Sequence, residues 1–204
     1  MSNAIKVITF DLDGVYFPSG KKNFISALGK RGVNQDEAER VFLKSSQMNQ
    51  EYKRGRITDK EFWSWAIDQW KIKAQYEEII DLLIDGYDVD TRVTDIIKDL
   101  RKNGYKTAVC SNNFPARING LQKKFHFLSN FDVTVFSYEV GATKPDPQIF
   151  KALIEQSLVK PESILFADDN PDNLTGAKEM GITTYLYEDF ENYIKRLSFS
   201  GVSI

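Results

Sequence analysis

Two carboxylates stand where a buried strand must end. The apolar run Ile5-Lys6-Val7-Ile8-Thr9-Phe10 predicts a strand, and Asp11-Leu12-Asp13-Gly14-Val15 follows it directly. On an extended backbone Asp11 and Asp13 leave by the same face, so their charges would repel and raise the pKa of each unless something neutralised the pair. A hard divalent cation such as Mg2+ prefers oxygen ligands, would relieve that repulsion and keeps positions open for phosphate. The alternative is an ordinary Asp-Gly turn.

A second β-branched run repeats this layout with a hydroxyl in place of the acids. Lys106-Thr107-Ala108-Val109-Cys110 leads into Ser111, Asn112 and Asn113. We expect its tip to reach the same edge of the sheet as the first strand, because ligands of parallel α/β sheets bind beyond the carboxyl ends of the strands. A Ser hydroxyl with neighbouring backbone N–H groups can hold phosphate oxygens, although a plain loop is the alternative.

A stiff lysine loop and a third strand tip complete the pattern. Lys144 lies in Gly141-Ala142-Thr143-Lys144-Pro145-Asp146-Pro147, whose prolines stiffen the loop and so place the ammonium group better than a mobile surface helix would. Farther along, Ser163-Ile164-Leu165-Phe166-Ala167 predicts a strand that ends in Asp168 and Asp169. Three predicted strands thus end in acids or a hydroxyl, and Lys144 adds a fixed positive charge. This recurrence predicts one shared site.

These four segments resemble the four motifs of the haloacid dehalogenase superfamily of phosphohydrolases. Each motif alone is weak, but their order and separation are specific, and the match spans nearly the whole chain. The resemblance implies an α/β fold with a Rossmann-like, three-layer parallel sheet core and an inserted α-helical cap. The matching segments are Asp11-Leu12-Asp13-Gly14-Val15, Ser111-Asn112-Asn113, Lys144-Pro145-Asp146-Pro147 and Asp168-Asp169.

The resemblance also implies roles in catalysis. Asp11 is similar to the nucleophile that attacks phosphorus and becomes an aspartyl phosphate. Asp13 corresponds to the general acid and base, which needs a pKa nearer the working pH than that of free aspartate. Ser111 would hold a phosphoryl oxygen, and Asn112 and Asn113 would contribute to substrate binding.

The metal ligands and the counter-charge follow from the same resemblance. Mg2+ would be held by Asp11, by the backbone carbonyl of Asp13 and by Asp169, with Asp168 as a supporting acid. Lys144 would neutralise the phosphate and the Asp11 carboxylate. Phosphoryl transfer needs aligned oxygens and compensation of charge on the equatorial oxygens, which a cation and a fixed lysine supply.

The stretch between the first motif and about residue 87 changes character and predicts a helical cap at residues 16–87, with the core at residues 1–15 and 88–204. Thr58 and Glu61 form a capping box for its third helix. Phe62, Ala66 and Trp70 are expected on the packed face of that helix, with Trp63 or Trp65 at a second contact. Lys21, Lys22 and Lys53 lie in this cap, where a solvated surface is expected and an imine-forming lysine is the alternative. The predicted cap helices are Lys22–Lys30, Asp36–Gln47, Asp59–Lys71 and Tyr76–Leu83.

Composition limits the partners. The 204 residues carry 27 basic and 29 acidic side chains and a net charge of −2, which gives no electrostatic footprint for nucleic acid. No signal peptide or long apolar run is apparent, so a cytoplasmic protein without membrane contact is expected. The lone Cys110 is expected to be a buried thiol, which fits that compartment, and Met1-Ser2-Asn3-Ala4 is interpreted as an expression remnant. The oligomeric state stays open.

The sequence therefore predicts a Mg2+-dependent phosphatase that acts on a small phosphorylated metabolite, such as a sugar phosphate. Asp13 favours phosphate esters over haloacids, because departure of a halide needs no proton. Details around the motifs resemble the branch of sugar-1-phosphate phosphatases and of the phosphatase domain of bifunctional epoxide hydrolases. The alternatives are a mutase of the β-phosphoglucomutase type and a non-catalytic binding or regulatory protein.

Overall fold

A five-stranded parallel sheet forms the centre of the protein in the computed structural model, which describes residues 4–204. Its spatial order is β3-β2-β1-β4-β5, so the chain builds one half of the sheet outward from β1 and then returns to the other side of β1. Apart from Ala4, the proposed expression remnant lies outside the described residues. The strands are β1 Val7–Phe10, β2 Lys106–Ser111, β3 Val133–Phe136, β4 Ile164–Asp168 and β5 Thr183–Leu186.

Helices cover both faces of this sheet and fill the segment between β1 and β2. Within residues 4–204, no helix has both the length and the apolar character needed to cross a bilayer. The α-helices are α1 Gly20–Lys30, α2 Gln35–Glu39, α3 Asp59–Trp70, α4 Tyr76–Asp85, α5 Thr91–Lys102, α6 Pro115–Phe125, α7 Ser137–Val140, α8 Pro147–Ser157, α9 Pro171–Glu179 and α10 Phe190–Phe199.

The strands are apolar on both sides, as a sheet covered by two helical layers requires. In β1, Ile8 and Phe10 join the apolar cluster that includes α5 and α10. Val7, on the other face of the strand, joins the opposite cluster with α8 and α9. Cys110 is buried in this second cluster, as expected, and burial raises the pKa of its thiol to about 12. The structure therefore has the three layers that the sequence predicts.

The first, third and fourth predicted cap helices are present, and the second is shorter than predicted. The expected helix Asp36–Gln47 is wrong beyond Glu39, where a π-helical turn, Arg40–Lys44, ends at an extended Ser45. The Ser45 hydroxyl donates to the Val41 carbonyl at 2.6 Å and accepts from the Met48 N–H at 3.1 Å. These local bonds satisfy backbone groups that a continuous helix would use, which explains the break.

The helix α3 is built as predicted and helps to join the cap to the core. Thr58 and Glu61 form the capping box, and Trp63, not Trp65, is the fully buried second contact. Next to α3, the ring of Tyr52 stacks between Phe62 at 4.5 Å and Phe114, at the start of α6, at 4.7 Å between centroids. The cap is thus packed on the core.

Gly55 lies where the cap backbone approaches the core backbone closely. Its φ of +68° lies in the left-handed region, and a Cβ there would lie 2.3 Å from the Tyr138 carbonyl oxygen. One residue earlier, Arg54 donates to the Thr143 hydroxyl at 3.2 Å. Only glycine fits this contact, which seats the turn after Tyr52 against the loop that carries Lys144.

Candidate active site

The sheet register brings the first and fourth motifs together. Phe10, the last residue of β1, pairs with Val109 of β2 and Ala167 of β4, so Asp11 lies beside Asp168. The Asp11 N–H continues this pairing by donating to the Ala167 carbonyl at 3.0 Å. Strand order reverses at β1, which makes the carboxyl end of β1 the place where an open α/β sheet forms its ligand crevice.

Three carboxylates converge at this edge. Asp11, Asp168 and Asp169 each present an oxygen, and all three oxygens lie within 4.8 Å of one another. The side chain of Asp13 is not in this group. Hard cations such as Mg2+ prefer such oxygen donors, so these residues could hold one.

The carboxylates of this group differ in their hydrogen-bond and ion-pair partners. Asp168 is fully buried and accepts from the Asn170 N–H at 2.9 Å and from Asn173 Nδ2 at 3.0 Å. Asp169 is exposed on one side, and no hydrogen bond or ion pair reaches its carboxylate from residues 4–204. Partial burial, followed by the charges of Asp11 and Asp168, raises the pKa of Asp169 to about 6. A cation near Asp169 would compensate this repulsion, which agrees with its predicted role as direct ligand and that of Asp168 as support.

Lys144 supplies the fixed positive charge. Its side chain is buried, and Nζ lies 2.9 Å from Asp11 Oδ1, 2.5 Å from Asp168 Oδ2 and 2.9 Å from the Cys110 carbonyl oxygen. Burial alone would lower the pKa of Lys144, but Asp11 and Asp168 outweigh it and raise the pKa, so the ammonium stays charged. For Asp11 burial is the larger influence, and its pKa is raised despite Lys144.

Asp13 points toward the cap and is held by two other cations. Arg117 Nη2 lies 2.8 Å and Lys21 Nζ 3.0 Å from Asp13 Oδ2. Burial would raise the pKa of Asp13, yet Arg117 and Lys21 together lower it to about 2. The expectation of a pKa nearer the working pH is therefore wrong for the substrate-free protein, in which Asp13 is a carboxylate.

The second motif positions its neighbours instead of presenting free amides. Asn112 accepts at Oδ1 from the Lys144 N–H at 2.7 Å and donates from Nδ2 to the Lys144 carbonyl at 3.1 Å. Asn113 is buried, accepts from Arg117 Nε at 2.7 Å and donates to the Ser111 hydroxyl at 3.4 Å. The structure therefore favours positioning roles for Asn112 and Asn113 over the predicted direct contact with substrate. Ser111 is buried at the tip of β2, at the same edge as Asp11.

Gly14 allows the first motif to lie directly against the fourth. Its φ is +77°, and a Cβ built on it would lie 2.0 Å from Asp169 Oδ2. A side chain at this position would therefore displace the carboxylate, and the motif-one glycine is required by space as well as by backbone conformation. Beside it, a cavity of about 190 Å³ opens between Asp13, Asp169 and the first turn of α1, which includes Lys21 and Lys22.

Arg117 was missed in the sequence, and Lys53 was assigned to a solvated surface. Arg117, in the first turn of α6, is buried beside Asp13; it follows the second motif, but the only local signal next to it is Pro115 at the start of the helix. Lys53 donates to Asn49 Oδ1 at 2.9 Å and interacts electrostatically with Asp13 and Asp11. Burial and then the charges of Lys21 and Arg117 lower the pKa of Lys53 to about 7, which separates it from the solvated lysines it was grouped with.

Comparison with known proteins agrees with this geometry. The family model of haloacid dehalogenase-like hydrolases matches residues 5–181. A D-ribitol-5-phosphate phosphatase from Bacteroides thetaiotaomicron is 28% identical, covering 95% of this chain and 97% of the relative. Bifunctional epoxide hydrolase 2 from Rattus norvegicus is 32% identical over a segment that covers 48% of this chain and 18% of the relative. The predicted resemblance to the branch that contains epoxide hydrolases is thereby confirmed.

A solved structure has the same architecture. The crystal structure of a family enzyme from Bacteroides thetaiotaomicron, in complex with magnesium and inorganic phosphate, superposes with a TM-score of 0.80 at 27% identity. The superposition covers 93% of this chain and 99% of that one. The predicted fold, a Rossmann-like parallel sheet with a helical cap, is confirmed.

Proposed function

Because this chain belongs to the haloacid dehalogenase-like hydrolase family, we propose that it is a Mg2+-dependent phosphatase that works through an aspartyl phosphate on Asp11. The observation that carries this proposal is the placement of Asp11 beside a buried ammonium group and within a group of three carboxylates. Lys144 Nζ lies 2.9 Å from Asp11, and Asp168 and Asp169 complete the carboxylate group.

The donor set fits Mg2+. Asp11 and Asp169 would ligate the ion, Asp168 would support it, and the backbone carbonyl of Asp13 is the further proposed ligand. When bound, Mg2+ compensates negative charge on the phosphoryl oxygens and on the attacking carboxylate. The raised pKa values of Asp11 and Asp169 support this assignment, because both carboxylates are short of positive charge in the ion-free protein.

The chain's own residues then divide the reaction into two displacements. An Asp11 oxygen attacks phosphorus, the bond from phosphorus to the ester oxygen breaks, and that oxygen takes a proton from Asp13 as the alcohol leaves. In the second step Asp13 accepts a proton from water, the water oxygen attacks phosphorus, and the Asp11 carboxylate is released with inorganic phosphate. Lys144 and Ser111 hold the phosphoryl oxygens throughout.

Asp13 must be protonated before it can act as an acid. In the free protein, Arg117 and Lys21 lower its pKa to about 2. A phosphate dianion bound beside Asp13 opposes the effect of these cations, and Lys21, with 39% of its side chain exposed, is free to turn from Asp13 to the phosphate. Substrate binding is therefore coupled to protonation of Asp13 in this proposal.

The substrate is proposed to be a small phosphorylated metabolite such as a sugar or polyol phosphate. The cavity of about 190 Å³ beside Asp13 and Asp169 has room for a small substrate, which supports this class. The name of the Bacteroides relative, a D-ribitol-5-phosphate phosphatase, supports the same class. We further propose that the cap at residues 16–87 selects this group.

A panel of phosphate esters tests the proposal. Ribitol 5-phosphate, hexose phosphates, nucleotides and short phosphorylated acids are assayed for phosphate release with Mg2+ and with chelator. We expect steady release from the polyol and sugar phosphates that stops with chelator and in Asp11→Asn. Interconversion of sugar phosphates in place of release would identify a mutase, and no turnover of any ester by the folded protein would refute catalysis.

A further inference from the structure

We propose that Arg117 is a positioning residue that holds the Asp13 carboxylate in the orientation needed to protonate the leaving group. The proposal rests on the phosphatase function proposed above and assigns a role to a residue outside the four motifs. The guanidinium lies on α6, which follows the second motif, and reaches across the site to the first motif.

Arg117 contacts both the first and the second motif. Nη2 lies 2.8 Å from Asp13 Oδ2 and donates to the Asn112 carbonyl at 3.3 Å, while Nε donates to Asn113 Oδ1 at 2.7 Å. The rigid fork of a guanidinium group fixes the direction of each of these bonds. Arg117 thus ties the acid of motif one to the phosphate-binding turn of motif two.

Burial distinguishes Arg117 from the other cation at Asp13. Its side chain is 1% exposed, against 39% for Lys21. The guanidinium also lies over the Phe114 ring, 4.8 Å from its centroid. A buried arginine without fixed partners would be costly, so this one is held in a single arrangement, whereas the lysine can exchange between Asp13 and an incoming phosphate.

A tyrosine at the junction of cap and core completes the arrangement. Tyr87 is buried, and its hydroxyl accepts from Arg117 Nη1 at 3.0 Å and donates to Asp13 Oδ1 at 3.4 Å. On the same helix as Arg117, Lys124 donates to the carbonyls of Ile84 and Tyr87 at 3.1 and 2.9 Å. Each Asp13 oxygen therefore has a partner fixed to α6 or to the end of the cap.

Leaving-group dependence separates this role from a merely structural one. Benzyl phosphate expels a strongly basic alkoxide that needs a proton, whereas p-nitrophenyl phosphate of similar size expels a stable anion that hardly needs one. The value of kcat/KM reports the steps through departure of the leaving group. Loss of a correctly placed acid therefore lowers the ratio of kcat/KM for benzyl to p-nitrophenyl phosphate, whereas general loss of structure lowers both values alike.

The experiment is a double-mutant cycle on Asp13 and Arg117 in the Mg2+-loaded protein. We expect Arg117→Gln to lower the ratio by on the order of tenfold, which is less than the roughly 100- to 10,000-fold contribution of a general acid, because Asp13 stays present and loses only its orientation. Arg117→Lys should lower it less, because one ammonium replaces only part of the fork, and Tyr87→Phe should lower it about twofold through loss of one contact. In the Asp13→Asn background Arg117→Gln should cause no further fall. Lys123→Gln, an exposed charge on the same helix, is the matched control and should leave the ratio unchanged.

The outcomes are distinguishable. The positioning role would be overturned if the ratio were unchanged in both Arg117 variants. It would also be overturned if Arg117→Gln lowered the ratio as much in the Asp13→Asn background as in the wild-type protein. Neither result would contradict the proposed phosphatase function. If Arg117→Gln fails to fold, Arg117→Lys and Tyr87→Phe decide by the same ratio. If the folded wild-type protein releases phosphate from neither ester, the proposed function fails and the role of Arg117 fails with it.

Discussion

Replacement of Gly14 by alanine should weaken Mg2+ binding strongly and lower the stability of the protein only modestly. The built Cβ lies 2.0 Å from Asp169 Oδ2, and real Cβ contacts stay beyond 3.0 Å, so the carboxylate oxygen must move by about 1 Å. Mg2+ demands nearly ideal octahedral geometry, which a displaced ligand cannot provide. We expect the Mg2+ concentration for half-maximal activity to rise by roughly 10- to 100-fold, in line with the effect of such misplacements.

The backbone contribution to this effect can be measured separately. Gly14 has a φ of +77°, and an alanine in the left-handed region costs roughly 1–2 kcal/mol. Gly104 has a φ of +86° with nothing within 4 Å of its built Cβ, so Gly104→Ala carries the backbone cost alone. Without metal, the Tm should fall by a similar amount in both variants. Only Gly14→Ala should raise the Mg2+ concentration needed for half-maximal activity. Equal Mg2+ requirements in both variants would refute the placement of Asp169 as a ligand.

Two further predictions follow from the charges of the site. The folded pKa of Asp169, about 6, exceeds its ordinary value of 3.8, so in the ion-free protein its contribution to stability is present below about pH 4 and is lost as pH rises through about 6. Mg2+ should therefore raise Tm more at about pH 7.5 than at about pH 5, and an equal or reversed shift would contradict this. The pKa of Lys53, about 7, leaves much of its amine neutral at about pH 7.5, so an acylating reagent should label Lys53 faster than exposed Lys123, and Mg2+ with inorganic phosphate should protect it. Peptide mass spectrometry measures both rates, and labelling no faster than at Lys123 would contradict the assignment.

The parts of the site that lie on strand tips could be predicted from the sequence. Asp11, Ser111 and Asp168 each follow a short apolar run, and parallel strands bring their carboxyl ends to one edge. Strand alternation does not reveal which acids then group together. Asp13 shares a face with Asp11 in the pattern, yet its carboxylate turns to Arg117 and Lys21, and Asp168 enters the carboxylate group instead.

The parts that the sequence hides depend on tertiary contacts. Arg117 contacts Tyr87 and Asp13, which are 30 and 104 residues away along the chain, and no local pattern marks an arginine for burial. Lys53 differs from Lys22 only in the burial and the neighbouring cations that the folded cap provides. The break at Ser45 arises from side-chain bonds that compete with an otherwise suitable helical pattern.

The most direct test of the central claim is to trap the phosphorylated intermediate. Asp13→Asn should still let Asp11 attack an ester with a good leaving group. It should slow the attack of water on the aspartyl phosphate, because the general base is missing. After brief incubation with p-nitrophenyl phosphate and Mg2+, peptide mass spectrometry should find one phosphoryl group on Asp11, and chelator should prevent it. A phosphoryl group on another residue, or none while the wild-type protein turns the ester over, would contradict the account.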